Sequence, residues 1–169
     1  HDNQSVMMNA GTTTLAVAHQ LAQKHNITVV TNSVVLALEA SKHANLHVIL
    51  LGGEINFEYQ FVYGNLTLTQ LKDYYADTFI LSADGIDAEG GITTYYDQEV
   101  EICREMMEHS KTVIAAMDYT KVGRMAFCKI ATADHADVLV TNRTASTAAV
   151  GELQTKGVTV VTATETEST

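Results

Sequence analysis

The sequence has no proline, only two cysteines, and ten lysine and arginine residues against twenty acids. The cysteines, Cys103 and Cys128, are too few for a disulfide framework, which favours a reducing compartment. The formal net charge of −10 argues against direct DNA binding by this chain, because a surface that neutralises DNA phosphates needs an excess of Lys and Arg. Without proline, the ends of helices and strands must be formed by Gly, Asn and Ser.

Long hydrophobic runs are also missing. Uninterrupted apolar runs such as Val48 to Leu51 are far shorter than the ~20 residues that cross a bilayer, and the N-terminus has no secretory signal pattern. The 169 residues, 46% of them apolar, are enough to form one domain with its own core. We therefore expect a soluble, cytoplasmic protein without membrane contact, with one domain over residues 1–163 and a disordered tail over 164–169.

Short runs rich in β-branched residues alternate with amphipathic segments. Helices are predicted over 13–25, 34–42 and 99–109, a hairpin or excursion over 54–64, and a short edge strand over 91–96. Strands are predicted over 5–8, 27–31, 46–51, 78–83, 112–117, 138–141 and 158–162. Strands that alternate with helices need crossover connections, which favour a parallel sheet covered on both faces. The predicted fold class is therefore α/β, a three-layer α/β/α sandwich with a mostly parallel sheet.

Ligands of such sheets bind at the carboxyl ends of the strands, so the loops that follow the strands hold the candidate residues. The first strand leads into Gly11–Thr14, where backbone N–H groups, the helix dipole and threonine hydroxyls can hold a phosphate. The second strand ends in Thr31–Ser33, which adds hydroxyl and amide groups at the same edge. Simple capping of the following helix is the alternative in both places.

Carboxylates and one lysine follow the later strands. Asp84 and Asp87 flank a glycine, and they can accept hydrogen bonds from sugar hydroxyls, act as acid and base, or stabilise a turn. Glu99 and Glu101 begin a helix, where the dipole favours negative charge whatever their role. Lys121 is one of few cations near this edge, and it is a candidate partner for a phosphate.

Other chemistries have little support in the sequence. The seven histidines have no acidic partner at a metal-binding spacing, so we expect no metal site. The sequence has no nucleophile elbow, no P-loop and no dinucleotide-binding glycine motif, and we expect no cofactor. Cys103 and Cys128 lie in apolar patterns, so we expect them to be buried thiols rather than nucleophiles.

Taken in order, seven motifs resemble the C-terminal effector domain of DeoR-family repressors of sugar metabolism over nearly the whole chain. They are Asn9–Thr14, Thr31–Ser33, Leu51–Gly53, Tyr63–Gly64, Asp84–Asp87, Gly91–Thr94 and Asp118–Gly123. The resemblance implies a fold similar to ribose-5-phosphate isomerase and coenzyme A transferases. It also implies a non-catalytic domain that binds a phosphorylated sugar and thereby modulates operator binding by an N-terminal winged helix, as a homodimer or homotetramer.

The winged helix is absent from this chain, which begins at His1 just before the first strand. This start suggests a piece of a longer protein, and a natural stand-alone sensor is the alternative. Two residues depart from the family pattern: Asn9 replaces a common aspartate, and Glu54 stands where many members have a cation. The expected ligand-binding residues are Asn9, Gly11, Thr12, Thr13, Thr31, Asn32, Ser33, Gly52, Gly53, Tyr63, Gly64, Asp84, Gly85, Asp87, Thr93, Glu99, Glu101 and Lys121.

Two other functions remain open at this point. A sugar-phosphate isomerase would use Asp84, Asp87, a glutamate and Lys121 as acids and bases. However, threonines and tyrosines occupy 93–96, the region where the related enzyme's lysine is expected. A pure dimerisation module would show no rise in melting temperature with any ligand.

Overall fold

A computed structural model describes residues 2–163 of the chain. The strands are β1 (Ser5–Met8), β2 (Ile27–Thr31), β3 (Leu46–Leu50), β4 (Glu54–Asn56), β5 (Phe61–Tyr63), β6 (Ala76–Leu81), β7 (Gly85–Asp87), β8 (Gly91–Thr94), β9 (Ser110–Ala116), β10 (Cys128–Ala131), β11 (Val138–Asn142) and β12 (Thr159–Ala163). The helices are α1 (Thr12–Leu21), α2 (Val34–Ala40), α3 (Asn65–Leu71), α4 (Asp97–Glu108) and α5 (Thr147–Thr155). The predicted tail, 164–169, lies outside the described residues.

Seven strands form one parallel sheet in the order β12-β11-β9-β6-β1-β2-β3. All seven predicted strands lie in this sheet; β1 and β2 have the predicted bounds, and the ends of the other five differ by at most two residues. From β1 the chain first builds the sheet toward β3 and then returns to the other side of β1 with β6. The strand order therefore reverses between β1 and β6, which opens a crevice at their carboxyl ends.

Two apolar cores cover the two faces of the sheet, as the alternation along β1 requires. Val6 and Met8 point to one face and pack in a cluster with Leu36 of α2 and residues of α1. Met7 points to the other face and packs in a cluster with Ile102 of α4 and residues of α3 and α5. The three-layer α/β/α sandwich is thus confirmed.

Helices α2 and α5 begin after a serine that caps them, and the three predicted helices all end earlier than predicted. Ser33 caps α2 by accepting a hydrogen bond from the Leu36 N–H at 3.2 Å, as expected for this residue type. Helix α1 ends at Leu21 rather than His25, because the Lys24 N–H donates to the Leu21 carbonyl in a tighter turn. Helix α4 spans Asp97–Glu108 instead of 99–109.

Two small antiparallel sheets pack beside the main sheet. The predicted hairpin is confirmed as β4 and β5. The predicted edge strand near 91–96 is wrong in its position, because β8 lies between β10 and β7 and all four of its residues are buried. Cys103 is buried as predicted, whereas Cys128 is only half-buried on β10.

Within the described part of the chain, no helix is long and apolar enough to span a membrane. The same residues contain no cluster of His, Cys, Asp and Glu side chains suited to a metal ion.

Candidate functional site

The crevice between β1 and β6 is formed by two loops that approach each other closely. A Cβ atom at Gly11 would lie 2.7 Å from the Cβ of Ser82, so only glycine fits at this point. Asn9 joins the same loops: its side chain accepts a hydrogen bond from the Ser82 N–H at 2.8 Å and donates one to the Ser82 carbonyl at 2.8 Å. These contacts set the distance between the two loops.

A cleft of about 400 Å³ lies at the carboxyl ends of four adjacent strands, β9, β6, β1 and β2. Such a volume is typical of a site for a small molecule. The lining residues are Ala10, Gly11, Thr12, Thr13, Leu15, Ser33, Val35, Glu58, Tyr59, Phe61, Ser82, Ala83, Asp84, Tyr96, Glu99, Met117, Asp118 and Lys121.

The first turn of α1 supplies neutral hydrogen-bond donors to this cleft. Its N-cap is Gly11, which has no side chain to bind the free N–H groups of the turn. The hydroxyl of Thr14 is buried and donates to the carbonyls of Asn9 and Gly11. Thr12 and Thr13 face the cleft instead, so N–H groups and hydroxyls are available to an anion together with the helix dipole.

The charged groups of the cleft are mainly acidic. Glu58, Asp84, Glu99 and Asp118 line it together with a single cation, Lys121. The Lys121 Nζ lies 3.4 Å from Asp84 Oδ1, while Asp84 Oδ2 accepts the Tyr95 N–H at 3.0 Å. A bound anion would thus depend more on backbone dipoles and hydroxyls than on positive side chains.

Glu99 is the most unusual of these acids. Its side chain reaches the cleft from the first turn of α4 with only 7% of the residue exposed, and Oε1 has no hydrogen-bond partner among the described residues. Burial, followed by the nearby charge of Asp84, raises the pKa of the Glu99 carboxyl from 4.5 to about 8. At neutral pH this group is a carboxylic acid that can donate a hydrogen bond.

The hairpin β4–β5 forms an aromatic wall on one side of the cleft. The rings of Tyr59 and Tyr96 lie with their centroids 4.1 Å apart, and burial raises the pKa of the Tyr96 hydroxyl. Asn56 Nδ2 donates to Gln98 Oε1 at 3.0 Å, which joins the hairpin to the start of α4. The hairpin therefore contacts the cleft through the exposed Tyr59 and the buried Phe61.

The structure brings seven of the predicted ligand-binding residues together in the cleft: Gly11, Thr12, Thr13, Ser33, Asp84, Glu99 and Lys121. They come from five separate segments of the chain. The expectation that the loops after β1, β2 and β6 share one hollow is thus met by the geometry. Ligand contact by these residues stays a prediction.

Four other predicted residues are buried and do not line the cleft: Asn9, Thr31, Asn32 and Thr93. The Thr31 hydroxyl donates to the Met8 carbonyl at 2.7 Å, and Asn32 Nδ2 donates to a β5 carbonyl at 3.2 Å. The Thr93 hydroxyl donates to the Gly85 carbonyl at 3.3 Å. These groups bind the backbone and hold the ends of strands in place, and ligand contact by them stays a prediction.

Seven further predicted residues lie outside the cleft lining: Gly52, Gly53, Tyr63, Gly64, Gly85, Asp87 and Glu101. The Gly52 N–H donates to Gln70 of α3 at 2.7 Å, so the glycine pair serves a close turn against that helix. Asp87 Oδ1 accepts a hydrogen bond from the Gly90 N–H at 2.8 Å. Asp87 thus stabilises a turn, one of the roles that the sequence left open for it. Glu101 is exposed on α4. Their absence from the lining leaves ligand contact by these seven residues a prediction.

Sequence reasoning did not single out Ser82, Tyr96 or Asp118 as ligand-binding residues, although all three line the cleft. Ser82 was assigned to the strand, but β6 ends one residue earlier, at Leu81. Asp118 lies two residues after the end of β9, so the rule that sites lie after parallel strands was the signal that could have found it. Tyr96 is recognisable only through its contact with Tyr59.

Comparisons with known proteins agree with this geometry. The family profile described as "DeoR C terminal sensor domain" matches residues 1–143. Among curated proteins, the chain is 34% identical to the HTH-type transcriptional repressor GlcR of Bacillus subtilis over 85% of this chain and 55% of that protein. It is 30% identical to the HTH-type transcriptional regulator GolR of Listeria innocua over 94% and 63%, and 29% identical to the glycerol-3-phosphate regulon repressor of Escherichia coli over 83% and 56%.

The chain thus spans a little more than half the length of these relatives. Their names are those of regulators and not of enzymes, in agreement with the expectation of a non-catalytic domain. Among solved structures, ribose 5-phosphate isomerase from Plasmodium falciparum matches with a TM-score of 0.49 and 15% identity, over 72% of this chain and 46% of that one. This is a likeness of fold alone.

Proposed function

We propose that this chain, which belongs to the family of DeoR C-terminal sensor domains, binds a phosphorylated sugar in the cleft at the carboxyl ends of β9, β6, β1 and β2. The observation that carries the proposal is the start of α1, where Gly11 leaves the N–H groups uncapped and Thr12 and Thr13 face the cleft. A helix start of this kind favours a dianionic group. The phosphate binds there in this proposal.

The sugar part lies toward β6 and α4 in this proposal. Asp84 and Ser82 offer hydrogen-bonding groups for sugar hydroxyls, and Glu99 closes that end of the cleft. Tyr59 and Tyr96 provide an aromatic wall for the apolar face of the ring. Lys121 supplies the cation nearest to the ligand and is already close to Asp84.

The signal passes through the hairpin β4–β5, the candidate switching segment. Its residues Tyr59 and Phe61 line the cleft, and the Val34 N–H of α2 donates to the Gln60 carbonyl at 2.9 Å. A ligand shifts a conformational equilibrium only by binding one conformation more tightly than the other. In this proposal the difference in affinity comes from contacts between the ligand and the hairpin, which are made in one conformation only. The sensor domain, residues 1–163, thereby biases a cytoplasmic homodimer or homotetramer in which an N-terminal domain binds operator DNA. The names of the relatives, which are those of transcriptional repressors, support the part of this proposal that concerns operator DNA.

A thermal-shift screen with a panel of sugar phosphates tests the proposal. A ligand that binds only the folded state adds about 2.7 kcal/mol of stability at one hundred times its Kd. At least one of glucose 6-phosphate, fructose 6-phosphate, fructose 1-phosphate and glycerol 3-phosphate is expected to raise Tm. No rise with any sugar phosphate would favour a pure oligomerisation module instead.

A double variant, Thr12→Val with Thr13→Val, tests where the phosphate binds. The loss of two hydrogen bonds to a charged group costs roughly 3 kcal/mol, or about 100-fold in Kd. Thr147→Val is the matched control, since Thr147 is also the first residue of a helix and is exposed outside the cleft. Unchanged affinity of the double variant by calorimetry would refute the assignment of the phosphate to α1.

A further inference from the structure

Glu99 has a buried carboxyl group, and packing alone does not explain why one of its oxygens lacks a hydrogen-bond partner. It lies in α4, it lines the cleft, and 7% of the residue is exposed. Oε1 is fully buried and has no hydrogen-bond partner among the described residues. A buried polar atom without a partner costs free energy, so such an atom at a binding site points to a partner that arrives with a ligand.

The charged and titratable groups around Glu99 do not supply a cation to it. Asp84, from the loop after β6, faces it with a like charge, and the Cys103 thiol lies one turn further along α4. Lys121 lines the same cleft, but its Nζ lies 3.4 Å from Asp84. Tyr96, also in the cleft, contacts Tyr59. No salt bridge to Glu99 occurs within residues 2–163.

We propose that Glu99 contacts the ligand as a neutral carboxylic acid, whose O–H donates a hydrogen bond to an oxygen of the sugar part and so selects ligands with an acceptor there. This inference rests on the proposed function of the cleft. A neutral acid offers both a donor and an acceptor, whereas a carboxylate only accepts. A neutral Glu99 also removes one negative charge from a cleft that must admit a phosphate.

The same arrangement couples binding to a proton. An anionic ligand in the cleft disfavours ionisation of Glu99 still further than burial and Asp84 do. Above the pKa of about 8 for the free domain, binding therefore takes up one proton. The affinity falls by about tenfold for each pH unit above that value.

The first experiment needs no ligand. The side-chain carboxyl carbons of glutamate are labelled with carbon-13 and followed by NMR as the pH is raised, and the Glu99 signal is identified by its loss in Glu99→Gln. The expected midpoint is near 8. A midpoint in the ordinary range of glutamate, near 4.5, would overturn the inference.

The second experiment measures proton uptake with the panel member that gives the largest rise in Tm. Calorimetry is carried out one pH unit above the Glu99 midpoint in two buffers that differ in ionisation enthalpy. Wild type is expected to take up nearly one proton per ligand. The Glu99→Gln variant, whose amide can also donate a hydrogen bond, is expected to take up no proton. Its Kd is expected to lie within a few-fold of the Kd of wild type with Glu99 protonated. The Glu99→Ala variant is expected to lose at least tenfold in affinity.

The control is Glu108→Gln, which changes an exposed glutamate of the same helix outside the cleft and is expected to match wild type. If Glu99→Gln binds as weakly as Glu99→Ala, the ligand uses the carboxylate and the inference is overturned. A panel in which no sugar phosphate raises Tm refutes the proposed function and with it the ligand contact. An NMR midpoint for Glu99 in the ordinary range of glutamate refutes only the inference about Glu99. The proposed function of the cleft would not be affected by that result.

Discussion

Replacing Gly11 by alanine perturbs the contact that sets the width of the crevice. The added Cβ would lie 2.7 Å from the Ser82 Cβ and 2.8 Å from its Oγ, closer than real Cβ contacts. The φ angle of Gly11 is 166°, which is extended backbone that alanine can adopt, so the cost arises from overlap alone. Overlap of this kind costs about 1–3 kcal/mol, and each kcal/mol lowers Tm by roughly 2–4 °C in a chain of this size.

Urea unfolding of a double-mutant cycle measures this cost. Ser82→Gly removes both overlapping atoms and keeps the backbone groups that bind Asn9. Gly11→Ala is therefore expected to cost clearly less in the Ser82→Gly background than in wild type. Gly151→Ala is the control: its Cβ meets no atom within 4 Å in helix α5, so it should stabilise by about 0.5–1 kcal/mol. Equal costs of Gly11→Ala in both backgrounds would refute the account of the crevice.

Four further predictions concern the same region. Asn9→Asp removes the donor to the Ser82 carbonyl and should cost about 1–3 kcal/mol at pH 7 by urea unfolding, with part regained at low pH, where a protonated carboxyl can donate; equal costs at both pH values would contradict this. Because the pKa of Glu99 is raised from 4.5 to about 8, the acid stays neutral in the folded state while the unfolded chain ionises. Between pH 4.5 and about 8, wild type should therefore lose about 1.4 kcal/mol of unfolding free energy per pH unit relative to Glu99→Gln. A difference in unfolding free energy between the two proteins that does not change with pH would be inconsistent with a raised pKa. Tyr59→Ala removes the ring contact with Tyr96 and should increase hydrogen exchange of the β4–β5 amides; unchanged exchange would mean that the contact does not hold the hairpin. Assays for aldose–ketose interconversion of pentose and hexose phosphates should show no turnover above background, and clear turnover would reject a purely sensory domain.

The main sheet could be predicted from the sequence because each of its strands is a short β-branched run between helical patterns. Helix α3 and strand β7 were missed, as were helix α5 (Thr147–Thr155) and strand β10 (Cys128–Ala131). Helix α5 is rich in small residues and buries only Leu153 fully, so its apolar stripe is too weak to recognise. Strand β10 buries a single residue, Ile130. Both elements depend on tertiary packing more than on their own pattern.

The site could be predicted to the level of loops but not of side chains. The rule about carboxyl ends of parallel strands found the loops that hold Gly11, Ser33 and Asp84. It could not show that the side chains of Asn9 and Thr31 bind the backbone. A polar residue at the end of a strand looks the same in the sequence whether it binds a ligand or the protein's own backbone. The contact between the β4–β5 hairpin and α4 also could not be predicted from the sequence, since contacts between segments far apart in the chain produce no periodic pattern of residues.

The most direct test of the central claim is an NMR titration of the nitrogen-15-labelled domain with the sugar phosphate that gives the largest rise in Tm. If the cleft binds the phosphate at the start of α1, the amide signals of Gly11, Thr12 and Thr13 should shift saturably, together with those of Ser33 and Asp84. Saturable shifts confined to residues outside this cleft, or no saturable shift, would contradict the account.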